Sequence, residues 1–136
     1  MAHIRKEVIT SLTKPKFLSK LNENPGLVII KFSATWCGPC KKLAPLIDAF
    51  YATSPANVVC MDLDVDDEDV FGIYAMFKHA KLLNGVPGIL CYVKGSPKLH
   101  MSSLVPIPDE IFNSGSIPDL DVFFKKCGDL LATVSP

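Results

Sequence analysis

The run Trp36-Cys37-Gly38-Pro39-Cys40 constrains this chain more than any other stretch. It follows an apolar segment, Leu27 to Phe32, and precedes a helix-like one, so Cys37 falls where a buried strand hands over to a helix N-terminus. Exposed backbone N–H groups and the positive end of the helix dipole favour a thiolate there, which lowers the thiol pKa and creates a nucleophile near neutral pH. Two intervening residues bring Cys40 round within bonding distance, so the pair can close and open as a disulfide. Pro39 suits the first helical turn, where its missing N–H is no loss. The competing readings are two unrelated cysteines or half of a zinc site. A zinc site needs a second ligand pair, and no further C-x-x-C or H-x-x-x-H follows, so no metal is expected.

The 136 residues amount to one domain's worth of chain, so a single domain over 1–136 is expected. Fourteen basic and fourteen acidic residues leave no net charge, which removes any global field for nucleic acid or an anionic membrane. Met1 to Glu7 lacks the apolar core of a signal peptide, and no apolar run reaches membrane-spanning length. A cytoplasmic protein is expected, in which five cysteines mean one reactive pair and three packing thiols, Cys60, Cys91 and Cys127.

Taken in order, Glu7 to Thr10 reads as a short strand, and Thr13-Lys14-Pro15 as a helix start with Thr13 as cap. Leu27 to Phe32 is apolar on both faces, as in a central strand. Cys37 to about Tyr51 reads as a helix burying Leu43, Leu46, Ile47 and Phe50, with a kink expected at Pro45. Val58 to Asp64 is the next strand. The acidic run Asp66 to Asp69 then suits the first turn of a helix reaching about Lys81, which buries Val70, Ile73, Tyr74 and Phe77. Ile89 to Val93 and Lys98 to Met101 form a hairpin around Lys94-Gly95-Ser96-Pro97. The last helix opens with a capping box at Ser116 and Asp119 and buries Leu120, Phe123, Phe124, Cys127, Leu130 and Leu131.

With Pro45 inside the helix after the cysteines, Val86-Pro87 before the fourth major strand and Lys94-Gly95 after it, the chain resembles the thioredoxin family from about Glu7 to its C-terminus. The resemblance implies an α/β fold with a central mixed sheet of about five strands flanked by about four helices. It also implies a protein-disulfide reductase with no cofactor beyond the Cys37–Cys40 pair. Cys37 would attack a disulfide in a partner protein and Cys40 would resolve the mixed disulfide. Trp36 would shield the pair and offer a flat contact to substrate, with core packing as its other reading. Gly38 and Pro39 complete the motif, Pro87 would be cis beside the sulfurs, and Val86 would pair with substrate backbone. Thioredoxin reductase as electron donor, disulfide-containing protein substrates and a monomeric state are implied as well.

Four departures stand out. Lys31 takes a position where the family carries a buried aspartate that assists proton transfer from the second cysteine, and Asp62 takes that of its lysine partner. A charge-reversed pair between adjacent strands is expected, with Lys31 on the same strand face as Leu27 and Ile29. A cation beneath the sulfurs would make the couple more oxidising, and Asp62 would be the proton acceptor; in the competing reading both side chains reach solvent. Gly88 replaces a usual threonine, which is expected to loosen its loop. The helix before Val86 reads as longer than the family norm. Ser102 to Gly115 reads as an inserted loop, packed on its own domain or serving as a docking surface, and Pro108-Asp109-Glu110 as the start of a helical turn. Three functions thus compete: a reductase, an oxidase or isomerase, and an adaptor that binds a partner through the insert.

Overall fold

The computed structural model describes residues 6–96 and 105–134. Strand β1 (Val8–Ile9) is followed by α1 (Lys14–Asn22), β2 (Leu27–Ser33), α2 (Gly38–Thr53), β3 (Val58–Asp64), α3 (Glu68–His79), β4 (Gly88–Val93), β5 (Glu110–Phe112) and α4 (Ile117–Leu131). The strands form one mixed sheet in the order β1-β3-β2-β4-β5, with β2 parallel to β3 and antiparallel to β4.

The central strand β2 is buried throughout except at Ser33, and its period of two divides the interior. Val28, Ile30 and Phe32 face α1 and α3, where they meet Phe17, Leu21, Val70, Ile73 and Phe77. Leu27 and Ile29 face α2 and α4, where they meet Leu43, Ile47, Tyr51, Leu120 and Phe123. Each fully buried side chain of this size contributes about 1.5–3 kcal/mol, so a strand flanked on both sides is the strongest apolar element available. On α2 the buried face is Cys40, Leu43, Ile47 and Tyr51. Leu46, expected inside, is 40% exposed, and Phe50 is half-buried and stacks on Phe124 with ring centroids 3.9 Å apart. The helix runs unbroken through Pro45, whose missing N–H leaves the Lys41 carbonyl without its intrahelical donor.

The helix ends follow local chemistry. Thr13 has the extended backbone of a cap, but its side chain makes no capping hydrogen bond. The Asp67 carboxylate caps α3 by accepting from Asp69 N at 3.0 Å and Val70 N at 3.2 Å. Ser116 Oγ accepts from Asp119 N at 3.3 Å, whereas the Asp119 carboxylate accepts from Ser114 Oγ at 2.8 Å, so only half of the expected capping box forms. Helix α3 ends at His79, two residues short of expectation. Lys81 takes a left-handed φ of 63°, Lys81 N donates to Lys78 O and Leu82 N to Phe77 O, each at 3.0 Å. This is a Schellman closure with lysine where glycine is usual.

The largest correction concerns the far edge. The expected strand Lys98–Met101 lies outside the described residues, and the partner of β4 is Glu110–Phe112, with Ile89 opposite Phe112 and Cys91 opposite Glu110. The segment 102–115 is therefore not simply a loop, and Glu110 belongs to a strand instead of a helical turn. The reason is long-range: Asp109 N donates to Cys91 O at 2.9 Å, the Asp109 carboxylate accepts from Val93 N at 2.8 Å and from Ser96 Oγ at 3.2 Å, and Tyr92 Oη donates to Pro106 O at 2.8 Å. These bonds deliver the chain to β4 in register. Pro106 and Pro108 are buried and Val105 packs on the first core, so the described part of the segment rests on its own fold.

Candidate active site

The end of β2 feeds directly into the dithiol. Cys37 is the N-cap of α2, with extended backbone (φ −90°, ψ 111°), and its Sγ accepts from Cys40 N at 3.1 Å. Cys37 and Cys40 are disulfide-bonded. Gly38 and Pro39 form the exposed first turn between them. Cys40 is exposed to the same 4% as Cys37 in this oxidised state. What separates the two sulfurs is the cap: a thiolate at Cys37 receives a charge-assisted N–H bond and lies at the positive end of the helix dipole, whereas Cys40 sits one turn in.

Trp36 is 67% exposed and its Nε1 donates to Asp66 Oδ2 at 3.0 Å, which excludes the core-packing reading. An acid at the entrance of α3 thus tethers the indole of the residue that precedes Cys37. The Val86–Pro87 bond is cis. Pro87 is buried, and half-buried Val86 packs against the cluster that contains Cys37 and Cys40. Gly88 does not loosen this loop as expected. A Cβ there would lie 2.8 Å from Leu83 Cδ2 and 3.2 Å from Gly85 O, so glycine permits a close fit that threonine would break. Gly115, which no motif singled out, backs onto Pro39, where an added Cβ would come within 3.2 Å of the ring.

Beneath Cys40 a cleft of about 330 Å³ opens between β2, β3 and α2, lined by Lys31, Ser33, Cys40, Lys41, Asp62 and Asp64. Lys31 and Asp62 are register partners across β2 and β3. Lys31 Nζ lies 3.4 Å from Asp62 Oδ2, and Ser33 Oγ donates to Asp62 Oδ1 at 3.4 Å. The pair is lopsided: Lys31 is 4% exposed and Asp62 35%. The cation is thus desolvated while its carboxylate partner is partly hydrated. Thr10 and Ser33, both polar members of this wall, carried no sequence signal of their own.

The other cysteines stay away from this chemistry. Cys60, Cys91 and Cys127 are fully buried on the face of the sheet that meets α2 and α4. Burial raises the Cys60 thiol pKa, against a smaller lowering by the Ser54 hydroxyl. The Cys127 thiol is raised further, first by its hydrogen bond with Cys91 and then by burial. His79 closes α3 on the exposed surface, and His100 lies outside the described residues. Among the described residues no helix is long and apolar enough to cross a membrane.

A capped dithiol where a strand meets a helix, with a cis-proline loop packed on the same core cluster of a five-stranded mixed sheet, defines a thiol–disulfide oxidoreductase. The Thioredoxin family model matches residues 8–103, and the chain belongs to that family. Thioredoxin domain-containing protein 8 of Mus musculus is 32% identical over 87 residues, covering 55% of this chain and 68% of that protein. Bos taurus thioredoxin is 49% identical over 56 residues, and the match spans 40% of this chain and about half, 52%, of the relative. Among solved structures, Trichomonas vaginalis thioredoxin superposes with a TM-score of 0.63 at 22% identity, over 90% of this chain and 98% of that one. The long form of spinach chloroplast thioredoxin f gives 0.64 at 16%, over 93% and 88%. At such identities the structural likeness speaks for the fold alone.

Proposed function

We propose that the protein reduces disulfides in partner proteins, with Cys37 as nucleophile and Cys40 as resolving thiol. The observation that carries this reading is the Cys37 sulfur held at the N-cap of α2 and hydrogen-bonded to Cys40 N. The Cys37 thiolate attacks one sulfur of a substrate disulfide, forming a mixed disulfide and releasing the other substrate sulfur as thiolate. Cys40, once deprotonated, attacks Cys37 Sγ, closes the Cys37–Cys40 bond and releases the second substrate thiolate. Two electrons pass from the dithiol to the substrate, and a thioredoxin reductase returns them. Trp36, Gly38, Pro39, Val86 and Pro87 form the substrate-facing rim, and no cofactor beyond the dithiol takes part. Monomeric action in the cytoplasm fits this chemistry. Insulin reduction with dithiothreitol as electron donor tests the reading: wild type should accelerate it and Cys37→Ser should not. Equal rates with and without the wild-type protein would reject it.

A second reading, a more oxidising couple suited to disulfide formation, is favoured by one observation. The desolvated Lys31 ammonium lines the same cleft as Cys40, where a cation stabilises a thiolate and so favours the reduced form. Asp62, hydrated and in contact with Lys31, is the group that would accept the Cys40 proton. Redox titration against glutathione separates the two readings, since a reductase requires a potential near that of thioredoxin, about −270 mV, and an oxidase one well above it.

A further inference from the structure

The segment that starts at the Schellman closure of α3 and ends at Pro87 packs on the same core cluster as the dithiol. Leu83, 1% exposed, anchors it inward against Gly88. Between Leu83 and Pro87 lie Asn84, Gly85 and Val86, and no hydrogen bond occupies the backbone of Gly85 or Val86 among the described residues. An outward loop of this kind, with the backbone freedom of Gly85 at its centre, needs a second anchor to hold a defined shape.

Asn113 supplies it. As the first residue beyond β5, its Oδ1 accepts from Asn84 N at 2.9 Å and its Nδ2 donates to Leu82 O at 3.1 Å. One planar amide thus satisfies a donor and an acceptor on either side of Leu83, which neither a carboxylate nor an aliphatic side chain can do. Two residues on, Gly115 rests against Pro39 in the first turn of α2. The turn from Asn113 to Ser116 therefore touches both walls of the dithiol, the α2 turn that carries Cys37 and the loop that carries Val86.

We infer that Asn113 is a positioning residue that sets the spacing between Val86 and Cys37, and with it the acceptance of an extended peptide around the substrate disulfide. The inference rests on the reductase reading. An extended peptide must meet both walls at once, while a small disulfide has only to reach the Cys37 sulfur. Loss of the clamp should therefore separate the two substrate classes.

Trp36 is the only tryptophan and lies beside the dithiol, so its fluorescence can report a single oxidation of pre-reduced protein. Stopped-flow mixing with insulin and, separately, with cystamine gives two second-order rate constants. Asn113→Leu, which removes both bonds, should lower the insulin constant about ten-fold, the worth of roughly two net hydrogen bonds, and leave the cystamine constant unchanged. Asn113→Asp keeps the acceptor for Asn84 N and should fall between Asn113→Leu and wild type on insulin; it also serves if the leucine variant does not fold. Parallel losses on both substrates, or no loss on insulin with either variant, would overturn the role of Asn113. A wild type that reacts with neither substrate would reject the reductase reading itself and this inference with it.

Discussion

The five cysteines occupy two regions with opposite physics. Cys37 and Cys40 sit at a helix N-terminus above a cleft that holds a lysine, and backbone N–H groups and a cation there favour thiolate. Cys60, Cys91 and Cys127 lie in the core cluster between the sheet and α2 and α4, where Cys60 and Cys91 flank Ile29 in register and Cys127 reaches down from α4. There the surroundings are apolar, and the Cys60 and Cys127 thiols are pushed up in pKa. Redox reactivity is thus assigned by the electrostatics of position and not by residue type.

The largest expected effect separates the two regions outright. Cys37→Ser should bring insulin reduction down to the uncatalysed background, while Cys91→Ala and Cys127→Ala should keep the wild-type rate and each cost about 1–2 kcal/mol of stability through lost packing. Because those two free thiols share a hydrogen bond, the double variant should cost less than the sum. Loss of turnover in a folded Cys91→Ala protein would erase the distinction.

The ion pair beneath Cys40 should respond asymmetrically. Asp62→Asn leaves a buried ammonium without its counter-charge and should cost about 2–3 kcal/mol, toward the low end for a broken buried pair because the site opens to water. Lys31→Met leaves only a partly hydrated carboxylate and should cost about 1 kcal/mol or less. Urea melts of both variants and of the double variant measure this, and equal costs would mean that the lysine is as well solvated as its partner.

Alkaline pH should weaken the protein through groups buried on both faces of the sheet. Cys60 and Cys127 (ordinary value 9.0) and Tyr51 and Tyr92 (ordinary value 10.0) all have raised folded-state pKa values, with burial the leading cause for all but Cys127. Between the unfolded and folded values the native state binds more protons. Stability is therefore full below about pH 9 and falls as pH rises, by at most about 1.4 kcal/mol per pH unit for each such group. Melts at pH 7 and pH 10 should show the loss, and Cys127→Ala should reduce the slope. A flat profile would mean that these thiols and phenols ionise as freely in the native state as in the unfolded one.

The smallest effect lies outside both regions. Lys81→Gly relieves the left-handed backbone at the end of α3 and should stabilise the protein by about 0.5–1 kcal/mol, without altering insulin reduction. A thermal melt that shifts downward would show that the lysine side chain contributes more than the backbone strain removes.

Most of the helices and the inner strands were legible because their signals are local. The dithiol, the run Leu27 to Phe32 and the strand Val58 to Asp64 each announce themselves within a few residues. Leu46 was misplaced because helical spacing fixes a stripe to within only about one residue of its edge. Gly88 was misjudged because its neighbour Leu83 is distant in pattern though adjacent in space. The edge strand was missed for a similar reason. Glu110-Ile111-Phe112 is too short for alternation to register, and Pro108 with two acids after it imitates a helix start.

By itself, then, the sequence determined the alternation of strands and helices, the reactive pair at a helix entrance and the apolar placement of the other thiols. Each of these depends on propensity, capping or periodicity acting over one or two turns of chain. Tertiary structure alone decided that Glu110–Phe112 completes the sheet, that Lys31 is buried while Asp62 meets water, and that Asn113 joins the two walls of the site. Those outcomes rest on hydrogen bonds and contacts between residues far apart in the chain, 31 positions for Lys31 and Asp62 and 29 for Asn84 and Asn113, which no local pattern encodes.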